Sequence, residues 1–291
     1  MLRRRILIIV NPAAGWRQRT RRRLDRVTGA LRRLGCVVAV QPTVPAMGEV
    51  ECLVREAAAE FDVIVAAGGD GTISAVVNGL VGLSRPLAVV PCGTANVLAH
   101  EIALPARPEA LAELIAVRPA RPIWPGAVCD RLFLTTASSG FDAEIVERID
   151  PRLKRRIGRG AFAWAIAGAL PGYRSAELRV SVGGAEHYAT MMVAAKGRFY
   201  AGPFAIAAAD LGEPALDFVL CQRSGRLAML RYLAALPLGH IAGRADVAVA
   251  RGREALVSAS TPLPVQADGE IVGHLPARFS VASEPLMLIR P

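Results

Sequence analysis

The chain has 291 residues, 53% of them hydrophobic, and carries a formal net charge of +10. That length supports one large or two medium domains. Its five cysteines are odd in number and widely spaced, a pattern that suggests neither a disulfide framework nor a zinc site.

No apolar run reaches the roughly 18–20 residues of a spanning helix, and the apolar stretch Ile6 to Val10 is too short for a signal peptide. A reduced, cytoplasmic setting is expected, with at most peripheral contact at the inner face of a membrane. The basic balance, mostly arginine, suits an anionic partner: nucleotide, nucleic acid or an acidic membrane surface. A compositional preference for arginine is the blander account.

Ile6 to Val10 reads as a buried strand, followed by the turn Asn11-Pro12-Ala13-Ala14-Gly15. A helix from about Arg17 to Leu34 places Leu24, Val27, Leu31 and Leu34 on one stripe, with arginines over much of the rest and Gly35 as its stop. Val37 to Val40 is a second strand leading to Thr43, and a helix over about Ala46 to Glu60 follows. Phe61 to Ala67 is a third strand and Leu87 to Val90 a fourth; another helix and an apolar segment at Leu111 to Val117 come next. Strands alternating with helices predict a doubly wound, mostly parallel sheet. Its ligands bind beyond the carboxyl ends of the strands, where Asn11–Gly15, Thr43, Gly68–Thr72 and Gly93–Asn96 converge.

The stretch Gly68-Gly69-Asp70-Gly71-Thr72 joins a strand end to a helix start. Backbone N–H groups at such a turn cradle phosphate. Glycines there admit close approach and the φ values of a tight turn. Asp70, a carboxylate in a phosphate cradle, needs a metal ion or a proton to handle.

After Pro119-Ala120-Arg121-Pro122 the pattern becomes mainly β, and the proline-rich stretch near 118–125 is read as the linker. Strands are expected at Phe133–Ala137, Glu177–Val182, Tyr188–Ala195, Ala215–Cys221, Asp246–Ala250, Glu254–Ala259 and Arg278–Val281. Helices are expected at Ala161–Leu170 and Gly225–Leu236. The expected division is residues 1–121, an α/β domain, and 122–291, an antiparallel β-sandwich whose last strand is free to rejoin the first domain. Lys154, Arg155, Arg156 and Arg159 precede the apolar helix that carries Trp164, a combination that suits an anionic bilayer surface; a core helix with a solvated start is the expected reading of the helix itself, and the region is kept as a lipid-access element.

Asn11-Pro12-Ala13-Ala14-Gly15, Gly68-Gly69-Asp70-Gly71-Thr72, Pro91-Cys92-Gly93-Thr94-Ala95-Asn96 and Ala267-Asp268-Gly269-Glu270 stand in order along the chain. As a set they resemble the diacylglycerol kinase catalytic-domain family, which includes bacterial lipid kinases and sphingosine kinases. The resemblance implies ATP-dependent phosphorylation of a lipid hydroxyl, with ATP between the domains. It puts Asn11, Gly15 and Thr43 in the nucleotide pocket, Gly68, Gly69, Gly71 and Thr72 on the phosphates, and Gly93, Thr94 and Asn96 on the adjoining wall. Glu270 is the expected general base, because an alcohol needs a carboxylate to take its proton. Asp268 orients it or binds metal, and Asp70 acts through Mg²⁺. The bland reading of Asp268-Gly269 is a hairpin turn. Ser139-Gly140-Phe141-Asp142 also looks like a family element; Asp142 either joins an acidic network or caps a helix.

Family members with a structural Mg²⁺ in the β domain carry an Asp-Gly step. Here the matching stretch runs from Asp210 to Ala215, with Glu213-Pro214 in its place. Asp210, Glu213 and Ala215 are the expected ligands, since hard cations accept mixed carboxylate and carbonyl oxygens. The expected partners are a diacylglycerol-like or sphingoid-like lipid and an anionic membrane surface, with no nucleic acid; a homodimer is one arrangement the sequence allows. The alternatives are an NAD kinase, which shares the glycine motif, and a non-enzymatic nucleotide- or nucleic-acid-binding protein.

Overall fold

The computed structural model describes residues 3–11, 18–43, 47–150 and 160–291. Two compact units divide the chain: Met1–Ile123 with Glu284–Pro291, and Trp124–Ser283.

In the first unit β1 (Arg5–Val10), α1 (Gln18–Arg33), β2 (Val37–Pro42), α2 (Met47–Ala57), β3 (Val63–Gly68), α3 (Asp70–Gly79) and β4 (Leu87–Pro91) alternate. Then come α4 (Val97–Glu101), α5 (Pro108–Val117) and β5 (Ala120–Ile123). The sheet order is β2-β1-β3-β4, then the chain's last strand, then β5. The β1, β2, β3 and β4 pairings are parallel. Every residue of β3 is buried, as expected where helices cover both faces of a parallel sheet. Leu24, Val27 and Leu31 of α1 and Leu111, Ala112 and Ile115 of α5 fill one face against Ile6, Ile8, Val63 and Val65.

The apolar segment Leu111 to Val117 is helical, within α5. Leu34 is 51% exposed: α1 stops at Arg33, and Gly35 (φ +85°) closes it as Cys36 N–H bonds to Leu31 O and Gly35 N–H to Arg32 O, a Schellman motif. The proline-rich stretch near 118–125 contains the division between the two units, after Ile123, and its first part is β5, an edge strand where proline costs no ladder bond.

The second unit contains β6 (Gly126–Val128), β7 (Arg131–Phe133), β8 (Thr136–Gly140), α6 (Phe141–Arg148), α7 (Gly160–Ala169), β9 (Leu178–Val182), β10 (Ala185–Ala189) and β11 (Met191–Ala195). It continues with β12 (Phe199–Tyr200), β13 (Phe204–Ala205), β14 (Leu216–Cys221), α8 (Arg226–Ala235), β15 (Val247–Gly252), β16 (Glu254–Ala259), β17 (Pro264–Ala267), β18 (Glu270–His274) and β19 (Ala277–Val281). β20 (Leu286–Ile289) returns to the first sheet, parallel to β4 and antiparallel to β5.

Two six-stranded sheets result, β10-β9-β16-β19-β6-β7 and β15-β14-β11-β8-β17-β18. Their mutual core takes Met192 and Ala194 of β11, while Met191, Val193 and Ala195 face a second core under α6, α7 and α8. This alternation is the period of a pleated strand. The single strand expected at Tyr188–Ala195 is two, β10 and β11, in different sheets, because Thr190 breaks the run and bonds to Cys221 and Arg223 carbonyls.

Candidate functional site

In the first unit two loops meet at the carboxyl ends of β3 and β4. The Gly68 carbonyl accepts Cys92 N–H at 2.9 Å. A Cβ on Gly93 would stand 2.4 Å from Gly69 Cα, and one on Gly68 would stand 2.4 Å from Thr72 Oγ1. These glycines serve space rather than left-handed backbone: none of Gly68, Gly69, Gly71 and Gly93 is among the positive-φ glycines, which corrects the expectation about φ.

Asp70 opens α3, and its two carboxylate oxygens accept Asn96 N–H at 3.1 Å and Val97 N–H at 2.9 Å. The acid of one loop therefore serves the helix start of the other, where α4 lacks a side-chain cap of its own. Asn96 holds a left-handed backbone (φ 47°). Its side chain accepts Gly93 N–H and donates to Gly93 O, both at 2.8 Å. The start of α3 at Gly69 also lacks a side-chain cap, and uncapped N–H groups there suit an anion.

Thr43 is buried, with its N–H and hydroxyl on Val10 O at 2.8 and 3.3 Å. Thr94 is exposed, and Asn11 is half-buried at the end of β1. Gly15, Lys154, Arg155, Arg156 and Arg159 lie outside the described residues.

Arg22, Arg23 and Arg26 of α1 join Pro91–Gly93 and Asn96 around an open cavity of about 490 Å³. Arg26 is held by Glu109 at 2.9 Å. Arg23 Nη2 reaches Pro105 O at 3.4 Å, while its Nε is buried without a hydrogen-bond partner among the described residues. Burial pushes the Cys92 thiol up to about 11, and the Arg23 charge opposes the rise. In the sequence these arginines stand out only as the basic cover of α1, fitting either an anionic partner or solvent. Their spacing, three and four residues apart, is a signal for a shared face, but its target depends on where α1 docks.

In the second unit Asp268 (φ 48°) and Gly269 (φ 85°) form the two-residue turn between β17 and β18. Positive φ at both positions is the type I′ hairpin geometry. The Asp268 carboxylate accepts Leu134 N–H (2.8 Å), Thr135 N–H (2.9 Å), Thr135 Oγ1–H (2.5 Å) and Thr136 N–H (3.2 Å). Burial raises this carboxyl above the usual range, and the Thr135 hydroxyl and the three N–H groups hold that rise back. Glu270 is half-buried at the head of β18.

A polar network runs on from this turn. Gln266 Oε1 accepts Gly269 N–H at 2.8 Å, and its Nε2 donates to Ser138 Oγ at 2.8 Å and Asp142 Oδ2 at 3.1 Å. Ser138 and Tyr200 hydroxyls also donate to Asp142. Asp142 is thus tied to the acidic turn, and the helix cap position is taken by Gly140. Burial raises the Asp142 carboxyl, against the three donors. Nothing in residue spacing announced Tyr200 or Gln266, because sheet register brings them together.

Of the expected cation ligands, Asp210 Oδ1 accepts Gly212 N–H at 2.7 Å and Glu213 is ion-paired with Arg251. Ala215 is half-buried just before β14.

The model of the diacylglycerol kinase catalytic domain matches residues 5–128, and that of the YegS C-terminal NAD kinase beta sandwich-like domain matches residues 135–290. The diacylglycerol kinase of Bacillus subtilis (strain 168) is 30% identical over 284 residues, covering 95% of this chain and 93% of its own. That of Mycobacterium tuberculosis (strain ATCC 25618 / H37Rv) is 28% identical over 240 residues, 79% of this chain and 77% of its own. A diacylglycerol kinase crystal structure from Bacillus anthracis str. Sterne shares the fold with TM-score 0.71 at 18% identity, over 99% of this chain and 97% of the other. Glycine loops that meet backbone to backbone, the sandwich with its acidic turn and these matches together make the chain a member of the diacylglycerol kinase catalytic-domain family.

Proposed function

We propose that the chain is an ATP-dependent lipid kinase that transfers the γ-phosphoryl group to a hydroxyl of a diacylglycerol-like or sphingoid-like lipid. The observation that carries this reading is the pairing of the Gly68–Thr72 and Gly93–Asn96 loops through Asp70, beside three arginines. The side-chain-free surface and uncapped α3 start suit a triphosphate, and the α1 arginines suit its charge.

In this reading Gly68, Gly69, Gly71 and Thr72 hold phosphates, and Asn11, Gly15, Thr43, Gly93, Thr94 and Asn96 line the nucleotide. Magnesium arriving with the nucleotide would neutralise charge on the transferring group, and Asp70 is the carboxylate assigned to it. Glu270 takes the acceptor's proton. Asp268, committed to the Leu134–Thr136 backbone, fixes the turn that presents Glu270 and is a positioning residue.

The acceptor resides in a bilayer. Trp164 on α7 is 72% exposed, and the net charge of +10 favours an anionic surface. The chain would act in the cytoplasm, peripherally on the inner membrane face. The NAD kinase-like beta sandwich that the second unit matches favours one other reading, phosphorylation of NAD.

The deciding experiment supplies labelled ATP with a mixed lipid extract and, separately, with NAD. A labelled phospholipid supports the proposal. Labelled NADP, with no labelled lipid, overturns it.

A further inference from the structure

Lys196 follows β11 and is completely buried. An ammonium withdrawn from water is costly unless its donors find acceptors. Nζ donates to the backbone carbonyls of Asp210 at 2.5 Å and Glu213 at 2.8 Å. Asp217, 5% exposed, pairs across the sheet with Ala195, the residue before Lys196. Burial raises the Asp217 carboxyl, and a backbone hydrogen bond from Ala208 and the Lys196 charge oppose that rise.

The groups that a divalent ion would need at this turn are committed elsewhere. The Asp210 side chain caps Gly212 N–H. The Glu213 carboxylate faces Arg251, which also reaches Asp217 at 3.4 Å. Magnesium demands near-octahedral oxygen coordination at about 2.0–2.1 Å. An ammonium seated on two of the turn's carbonyls takes those oxygens and repels a second cation. Among the described residues, no three His, Cys, Asp or Glu side chains converge on one point. Pro214 also stands where an Asp-Gly step would supply flexibility.

We propose that Lys196 is a built-in cation that closes the Asp210–Ala215 turn, so that the second unit holds this turn without a divalent metal ion. A tethered ammonium offers three donors and one charge, and no chelator removes it. The inference is independent of which substrate the chain phosphorylates.

The test uses the full chain, free of nucleotide. After treatment with EDTA, bound magnesium and calcium are counted by mass spectrometry, and thermal unfolding is followed in EDTA and in millimolar MgCl₂. The expected result is substoichiometric metal and the same melting temperature in both. Lys196→Met keeps the side chain's length and removes its charge. It is expected to lower the melting temperature by about 6–20 °C, because two carbonyls of the turn lose their charged donor and Asp217 keeps only Arg251 as a nearby cation. A tightly held divalent ion in the wild type, a wild-type melt that falls in EDTA and recovers with MgCl₂, or a Lys196→Met melt like the wild type's would each overturn the proposal. The wild-type measurements decide it even where the variant does not fold.

Discussion

Gly69 and Gly93 touch backbone to backbone: a β-carbon on Gly93 would lie 2.4 Å from Gly69 Cα and 3.0 Å from Asn96 Oδ1. Real β-carbons do not sit that close to backbone, so Gly93→Ala must push the two loops apart. Overpacking of this kind costs about 1–3 kcal/mol. The expected outcome is a lowered melting temperature and at least a tenfold rise in KM for ATP. Gly29→Ala is the control: in the interior of α1 its new Cβ meets only Arg33 Nη1 at 3.5 Å. It should gain about 0.5–1 kcal/mol from helix propensity, measured by urea unfolding.

Asp70→Asn separates charge from shape. One amide oxygen can replace only one of the two acceptors that Asn96 and Val97 use. Leaving a part-buried N–H unpaired costs about 1–3 kcal/mol. Nucleotide affinity, read by calorimetry, should fall together with stability. Full affinity with lost turnover would instead show that Asp70 leaves the loop pairing unaffected.

Glu270→Gln and Asp268→Asn should fail in different ways. The first removes the proposed base and is expected to cut kcat by about 100-fold or more, with ATP affinity and melting temperature near the wild type's. The second replaces the acceptor of four hydrogen bonds and should lower the melting temperature as well. Wild-type kcat in Glu270→Gln removes that residue from its role.

Asp142 sets a pH dependence. Its folded-state pKa is raised by burial, so the folded chain binds this proton more tightly than the unfolded chain does. Its contribution is present below the ordinary carboxylate pKa and is lost as pH rises through the folded value. Asp142→Asn does not titrate. The stability of the variant relative to wild type should therefore increase between pH 4 and pH 8, and urea midpoints across that range check the sign. A constant difference would mean that the Tyr200, Ser138 and Gln266 donors keep the carboxylate ionised throughout.

Trp164 tests membrane contact. Trp164→Ser removes an exposed ring without emptying a core. It should weaken co-sedimentation with anionic vesicles and raise the apparent KM for lipid, while turnover of a soluble short-chain lipid stays unchanged.

Much of this protein follows from local pattern. Continuous apolar runs such as Ile6–Val10 need two covered faces, and the three-and-four spacing of Leu24, Val27 and Leu31 needs one, so a parallel sheet with helices was legible residue by residue. The β half was legible as alternation, less so its boundaries: Thr190 divides one apparent strand into two because its neighbours pair in different sheets. Short strands such as β6 and β17 escaped because β pairing depends on distant partners.

The Gly68–Thr72 loop was legible from its glycines between a strand and a helix, and Asp268-Gly269 as a hairpin turn; that this turn carries functional acids came only with the resemblance to the kinase family. What those loops touch was decided by the tertiary structure. Register across β3 and β4 brings Gly69 against Gly93, so that the glycines serve contact rather than unusual φ, and Asp70 reaches a helix start 27 residues away. Sheet order sets Gln266 beside Ser138, and strand position buries Lys196 on the Asp210 and Glu213 carbonyls. Such contacts join residues far apart in the chain, and no local periodicity encodes them.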